Sequence, residues 1–222
     1  MIKYSYVCLY SVENENQISL LVAKKNLFAF WFDSTKEDFD KKRTQTKIKG
    51  KFYKHCGCKI EDHYFAFYPE NNGCPLVNGE GKHCLVGGEV KKGFTADDSA
   101  LEEFWEETGV RLDTSQFIER NLHDWPYSST DSYGILFLKV SSVYLTNVSN
   151  QISENLRYVQ EVDIPRVKTG DYANTLPRVF SNELDLVQVL SFEDALHIFN
   201  EMNPKLAGWF VEGLVSYNYL LF

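Results

Sequence analysis

Three glutamates, Glu103, Glu106 and Glu107, stand three and four residues apart. On a helix, side chains at i, i+3 and i+4 are neighbours, so the three carboxylates share one narrow arc. Leu101, Phe104 and Trp105 fall on the opposite side, which predicts one apolar face for burial and one acidic face. Like charges at this spacing repel and cost helix stability. A hard cation removes that cost, because Mg²⁺ and Mn²⁺ take carboxylate oxygens. The plain alternative is a solvated acidic face, the common fate of glutamates on a surface helix. The flanking residues weigh against it. Gly87-Gly88-Glu89-Val90 comes first, then Gly93, then a helix that ends Glu106-Glu107-Thr108-Gly109-Val110.

Other elements must hold this helix in place. Thr95, with Asp98 three residues on, predicts a capped start at Ala96. Gly109 stands where a helix-ending glycine belongs, after Thr108. Cys84–Val86 reads as a short strand running into the Gly87-Gly88 turn. Upstream, Ile2–Ser11 and Gln17–Ala23 read as strands joined at Glu13-Asn14-Glu15-Asn16, a hairpin. Downstream, Tyr133–Val143 reads as a strand and Glu154–Val162 as a short helix closed by Pro165. Leu184–Leu190 reads as a strand, Ser191 caps a helix from Phe192 to about Met202, and Leu206–Leu220 is a last apolar helix.

Between Phe32 and Gly81 the pattern weakens. Lys41 to Lys59 carries eight cationic residues and no acidic one. Within it, Lys47–Phe52 alternates like an exposed strand; His63–Tyr68 reads as a strand, and Glu70–Gly81 as a loop with Asn-Gly turn signals. Residues 33–81 are accordingly expected to be an insertion within a single domain spanning 1–222. The basic run is the kind that usually forms a solvated face. Its functional reading is a phosphate-holding or partner-binding flap.

The whole chain has 222 residues, 44% hydrophobic and 24% charged, which suits one domain with a sizeable core. A net charge of −8 gives no support to a long nucleic-acid duplex as partner. Aromatic residues make up 15%, enough for a base-stacking pocket as well as a core. No apolar run approaches the roughly 20 residues that span a bilayer. Met1–Val12 lacks a secretory pattern, and five cysteines do not suggest a disulfide framework. A cytoplasmic protein is the expectation, with a leaderless route of export left open. His55, Cys56, Cys58, Cys74, His83 and Cys84 lack Cys-x2-Cys spacing, and buried or loop thiols are the expectation for the cysteines.

The segment from Gly88 to Val110 resembles the Nudix box, Gly-x5-Glu-x7-Arg-Glu-apolar-x-Glu-Glu-x-Gly-apolar. Gly88, Glu103, Phe104, Glu106, Glu107, Gly109 and Val110 match it. Phe94 replaces the early glutamate and Glu102 the arginine, a pair that supports the metal-binding carboxylates through a salt bridge in that family. The resemblance implies an α/β/α sandwich with a mixed sheet. It also implies hydrolysis of a nucleoside diphosphate linked to another moiety, with Mg²⁺ or Mn²⁺ as cofactor. By the same resemblance Glu103, Glu107 and the Gly88 carbonyl would ligate the metal, with Glu106 as ligand or base. Glu183 is the first candidate for a general base outside the box and Glu161 the second. The absence of that supporting pair at Phe94 and Glu102 leaves a second reading open, a catalytically impaired module that binds a nucleotide or a protein.

Fifteen residues separate Val110 from Pro126, and a proline at about that distance is similar to ADP-ribose pyrophosphatases. Trp125-Pro126-Tyr127-Ser128 resembles the Trp-Pro-Phe core of NADH pyrophosphatases. Trp125 or Tyr127 would then stack on a base; the plain reading is a rigid turn with Trp125 in the core. The implied partner is a small nucleotide-type substrate. A homodimer, or a protein partner held by the 33–81 segment, is also compatible with the family.

Overall fold

Val7, Leu9 and Ser11 point to one face of the first strand, Cys8 and Tyr10 to the other, and all five are buried. Such a strand has to lie inside a sheet covered on both faces. The computed structural model describes residues 1–13, 17–40, 44–70, 72–126, 129–172, 176–202 and 204–216. Its first elements are β1 (Ile2–Val12), β2 (Ile18–Lys25), β3 (Phe28–Ala29), β4 (Trp31–Ser34), α1 (Lys36–Asp40), β5 (Gln45–Ile48) and β6 (Lys51–Lys54). Next come β7 (Cys56–Ile60), β8 (His63–Phe67), β9 (Cys74–Pro75), β10 (His83–Cys84), β11 (Val86–Glu89) and α2 (Ala96–Thr108). The chain continues with β12 (Glu119–Pro126), β13 (Ser132–Lys139), α3 (Ser142–Tyr158), α4 (Ile164–Thr169), β14 (Leu184–Ser191), α5 (Phe192–Met202) and α6 (Pro204–Ser216).

β1 is central. It runs parallel to β13 along one edge, and β13 pairs antiparallel with β12. Its other edge is shared: Tyr4–Val7 pair with β11, and Tyr10–Val12 pair with β2. β2 therefore splays away from β1, pairing with β10 on that side and with β14 on the other. The stretch 83–89 fills the fork, passing from β2 to β1 at the buried Leu85. Ala100 and Phe104 of α2 pack with Val148 and Ile152 of α3 on the Val7/Leu9 face. Phe199 of α5 and Phe210 of α6 pack on the Cys8/Tyr10 face. The result is the α/β/α sandwich with a mixed sheet that the sequence led us to expect.

Several local expectations are corrected. Gly87 and Gly88 lie inside β11 rather than in a turn. Lys47–Phe52 is not one strand: β5 and β6 form a hairpin turning at Lys49 and Gly50, with φ of 48° and 82°. Two left-handed residues suit the twist of a two-residue hairpin loop. Glu70–Gly81 contains β9, which pairs with β3. The strand expected to reach Val143 stops at Lys139, because the Ser141 hydroxyl accepts from the Tyr144 amide at 3.2 Å and starts α3. The short helix expected at Glu154–Val162 is the end of this much longer one. Pro165 does not close it either: a π-helical turn at Val159–Asp163 precedes the proline, which occupies the first turn of α4. The chain stops being helical at Gly170, φ 81°. The last helix begins at Pro204, and positions 217–220 of the expected span lie outside the described residues. So do residues 14–16 of the first hairpin's turn and 41–43 of the basic run.

Ahead of the fork, β4, β8 and β7 form a three-stranded sheet. Trp31, Phe65 and Phe67 carry it into the core that also holds Phe104. The Trp31 indole donates to the Val179 carbonyl at 3.0 Å, and the Phe30 amide donates to Asn182 Oδ1 at 3.1 Å. This segment is thus tied to the stretch just before β14. Among the described residues, no helix is long and apolar enough to cross a membrane.

Candidate active site

The boundaries of α2 are set locally. Thr95 is extended, and its hydroxyl accepts from the Asp98 amide at 3.1 Å. The same hydroxyl donates to Asp98 Oδ2 at 2.7 Å, so Asp98 closes on the cap side chain. Gly109, φ 72°, ends the helix and donates its N–H to the Trp105 carbonyl. A Cβ there would meet the Arg178 carbonyl oxygen at 2.4 Å, so the position needs glycine for space as well as for its backbone. Just beyond, the amides of Phe180 and Ser181 both donate to the Glu106 carbonyl, at 2.7 and 3.2 Å. These bonds carry the chain from α2 to Glu183.

The acidic face is not solvated. Glu107 is only 4% exposed and Glu106 9%, whereas Leu101 and Trp105 on the supposed inner side are half-buried. Two lysines hold the carboxylates. Lys91, from the link between β11 and α2, donates to Glu106 Oε1 and lies 3.4 Å from Glu103 Oε1. Lys25, the last residue of β2, donates to Glu183 Oε2 at 2.8 Å and stands 3.8 Å from Glu107 Oε1. Oε2 of Glu107 is buried with no hydrogen-bond partner among the described residues.

Burial drives the acidities. It pushes Glu107 up to about 8, against the pull of Lys25 and with further push from Glu183 and Glu103. It pushes Glu106 up to about 7, against the Lys91 hydrogen bond. Glu103 is raised by burial too, with Lys91 opposing. Burial disfavours the charge on Lys25, but Glu107 and Glu183 outweigh it and the ammonium is held charged.

Gly88 has a reason to be glycine that lies outside its own backbone. A Cβ on it would come 2.6 Å from Glu103 Oε2, so the carboxylate lies flat on the strand where any side chain would displace it. Glu102 turns outward to Arg111 at 3.5 Å, and Phe94 is 48% exposed. The cation beside Glu103 and Glu106 is Lys91.

The structure therefore gathers Gly88, Glu103, Glu106, Glu107 and Glu183 at the fork. Glu161 is exposed, in the π-helical turn after α3. Trp125 is buried: its indole donates to Glu212 Oε2 at 2.7 Å and its ring stacks on Trp209 at 5.8 Å. It acts as backing for Trp209. Tyr127 lies outside the described residues.

Sequence reasoning missed the cavity beside the fork, of about 490 Å³, lined by Tyr4, Tyr6, Tyr133, Trp209, Lys25 and Lys82 among others. Tyr4 stacks on Tyr133 at 5.2 Å, and Tyr133 meets Trp209 at 5.3 Å. Gly87 and Gly88 form its wall on the carboxylate side. Tyr4 and Tyr6 are two apart on one strand and hence share a face; that was the available signal. Nothing local linked them to Tyr133 or Trp209.

No protein-family model matches this chain, and no curated protein matches it. Among solved structures, a mutT/nudix family protein from Listeria innocua aligns over 99% of this chain and 96% of its own, at 12% identity and a TM-score of 0.42. A C. elegans Ap4A hydrolase in a binary complex aligns over 96% of this chain and 99% of its own, at 13% identity and a TM-score of 0.42. T. brucei MERS1, in an RNA complex, aligns over 90% of this chain and 54% of its own, at 11% identity and a TM-score of 0.37. These are loose likenesses of fold and carry nothing about chemistry.

Proposed function

We propose that this chain hydrolyses a nucleoside diphosphate linked to another moiety, such as ADP-ribose, NADH or a dinucleotide, with Mg²⁺ or Mn²⁺ at the α2 carboxylates. The observation that carries the reading is the cluster of buried glutamates backed against a cavity with stacked aromatic walls. The planar base would lie against Tyr4 and Tyr133, and Lys25 and Lys82 would face its phosphates. Residues 33–81 are, on this proposal, an insertion into one domain.

The donors suit a hard divalent ion. They are all oxygens, Glu107 Oε2 lacks a partner, and Glu103 lies where a Cβ on Gly88 would be. As placed, no three His, Cys, Asp or Glu side chains among the described residues stand close enough together to hold an ion. Lys25 and Lys91 occupy the carboxylates and would have to turn aside. Glu103, Glu107 and the Gly88 carbonyl would hold the metal, which when bound offsets phosphate charge and acidifies water. Glu106, with its acidity near neutral, suits a ligand or a proton acceptor. Glu183, joined to the same cluster through Lys25, would take the proton; Glu161 remains the second choice.

The lysine-held carboxylates also favour a second reading, an impaired module that binds a nucleotide without turnover. Phosphate release from ADP-ribose, NADH and dinucleoside polyphosphates with Mg²⁺ or Mn²⁺ separates the two. Turnover that Glu107→Gln abolishes supports the hydrolase. No turnover on any of them, and no change in Glu107→Gln, leaves only the binding module.

A further inference from the structure

A second cavity, of about 350 Å³, adjoins the aromatic one. Lys25 and Asn78 line both. Glu183 lines the second, so the carboxylate cluster borders one cavity through Gly88 and the other through Glu183. Apart from Lys25 and Glu183, every residue lining the second cavity comes from the stretch 32–78 that precedes β10. The hairpin β5–β6 contributes Thr46 and Ile48, Tyr68 follows directly on β8, and Phe32, Leu76 and Asn78 complete the walls.

The lining states what fits. Lys25 and Glu183 carry the cavity's charges, and they neutralise each other at 2.8 Å. Phe32, Ile48 and Leu76 offer apolar surface. Thr46 Oγ1 and the Tyr68 hydroxyl, 3.1 Å apart, offer hydrogen bonds, as does the Asn78 side-chain amide. Phe32 meets the Tyr68 ring edge-on at 5.6 Å. Beyond Lys25, which Glu183 already pairs, a further phosphate chain would find no cation among the lining residues. A neutral group rich in hydroxyls would find both partners and a surface.

We propose that the second cavity is a specificity compartment for the group on the far side of the diphosphate, that this group is uncharged and hydroxyl-bearing, of the sugar class, and that Thr46 and Tyr68 select it. This rests on the nucleotide reading above and narrows it. The diphosphate would cross at Lys25, between the two cavities, and the basic hairpin becomes the compartment's roof.

The test is binding of ADP and of ADP-ribose by calorimetry in the presence of EDTA, so that turnover plays no part. The wild-type chain should bind ADP-ribose about tenfold or more tightly than ADP. Thr46→Trp, on an open hairpin and filling the compartment, should erase that advantage and leave ADP binding within about twofold. Tyr68→Phe, which keeps the ring, should remove part of the advantage and serves as the check if Thr46→Trp disturbs the hairpin. ADP bound as tightly as ADP-ribose by the wild type, or an advantage untouched in both variants, overturns the compartment and leaves the nucleotide reading standing. Binding of neither ligand overturns the nucleotide reading and the compartment together.

Discussion

The stretch 86–109 and the stretch 28–78 border the same fork but are built on opposite rules. The first is one strand and one helix with caps at both ends, and its helix bounds and three acidic ligand candidates follow from residues a few positions apart. The second is a set of short strands in three small sheets, whose partners are set by contacts far along the chain, such as Phe30 with Asn182 and Trp31 with Val179. The chemistry is proposed for the locally determined stretch, where a rigid helix and strand hold side chains closely. Selection is proposed for the other, at its hairpin β5–β6, which lies outside the core that Trp31, Phe65 and Phe67 join. The difference predicts that damage in the first region abolishes turnover and damage in the second retunes it.

The largest effect should come from the acidic cluster. Glu103→Gln should lower hydrolysis by about 100-fold or more, the scale on which losing a metal ligand or its support acts. Glu183→Gln should cost more turnover than Glu161→Gln; equal losses in phosphate-release kinetics would reverse the ranking of the two bases. Gly88→Ala comes next. Its methyl would land on Glu103 Oε2, so urea denaturation should give a loss of about 1–3 kcal/mol alongside a loss of activity.

The acidities give a pH prediction with a definite sign. The folded values for Glu106 and Glu107, about 7 and about 8, lie above their ordinary 4.5. A group shifted upward favours folding fully below its unfolded value and loses that contribution as pH rises through the folded one. Without metal, the melting temperature should therefore fall as pH rises from about 5 to about 9. Mg²⁺ should recover more of it at the upper end, where it binds ionised carboxylates; equal recovery at both ends would speak against a metal at these residues.

The smaller effects lie outside the cluster. Tyr133→Ala should weaken nucleotide binding by about 2- to 10-fold, the worth of one aromatic contact, measured by titration. Phe52→Ser, on the 65% exposed hairpin residue, should change stability by no more than about 0.5 kcal/mol. A large loss there would mean that the basic hairpin supports the fold and is not only a roof.

Much of the fold was legible because its signals are short-ranged. α2 starts at Thr95 and ends at Gly109 as their cap chemistry requires, and β14 passes into α5 at Ser191, whose hydroxyl accepts from the Asp194 amide. The misreadings have local causes as well. The alternation of Lys47–Phe52 concealed a left-handed pair at Lys49-Gly50, and Pro165 suggested an end where a π-helical turn let the helix continue.

By itself, the sequence determined that Glu103, Glu106 and Glu107 share one side of a capped helix, because 3.6 residues per turn leaves them nowhere else. Only the tertiary structure decided which way that side faces. The 100° pattern separates acidic from apolar residues and predicts only the apolar side buried, whereas here Phe104 lies in the core and the fork of the sheet buries Glu106 and Glu107 as well. Lys25 and Lys91 make that possible, since each lies far enough from the helix in sequence that no spacing rule joins it to a glutamate. The same fork brought Glu183 beside Glu107 and Tyr4 beside Tyr133, pairs that depend on strand order and register. Those are settled by the burial of the whole sheet and not by any short stretch of residues.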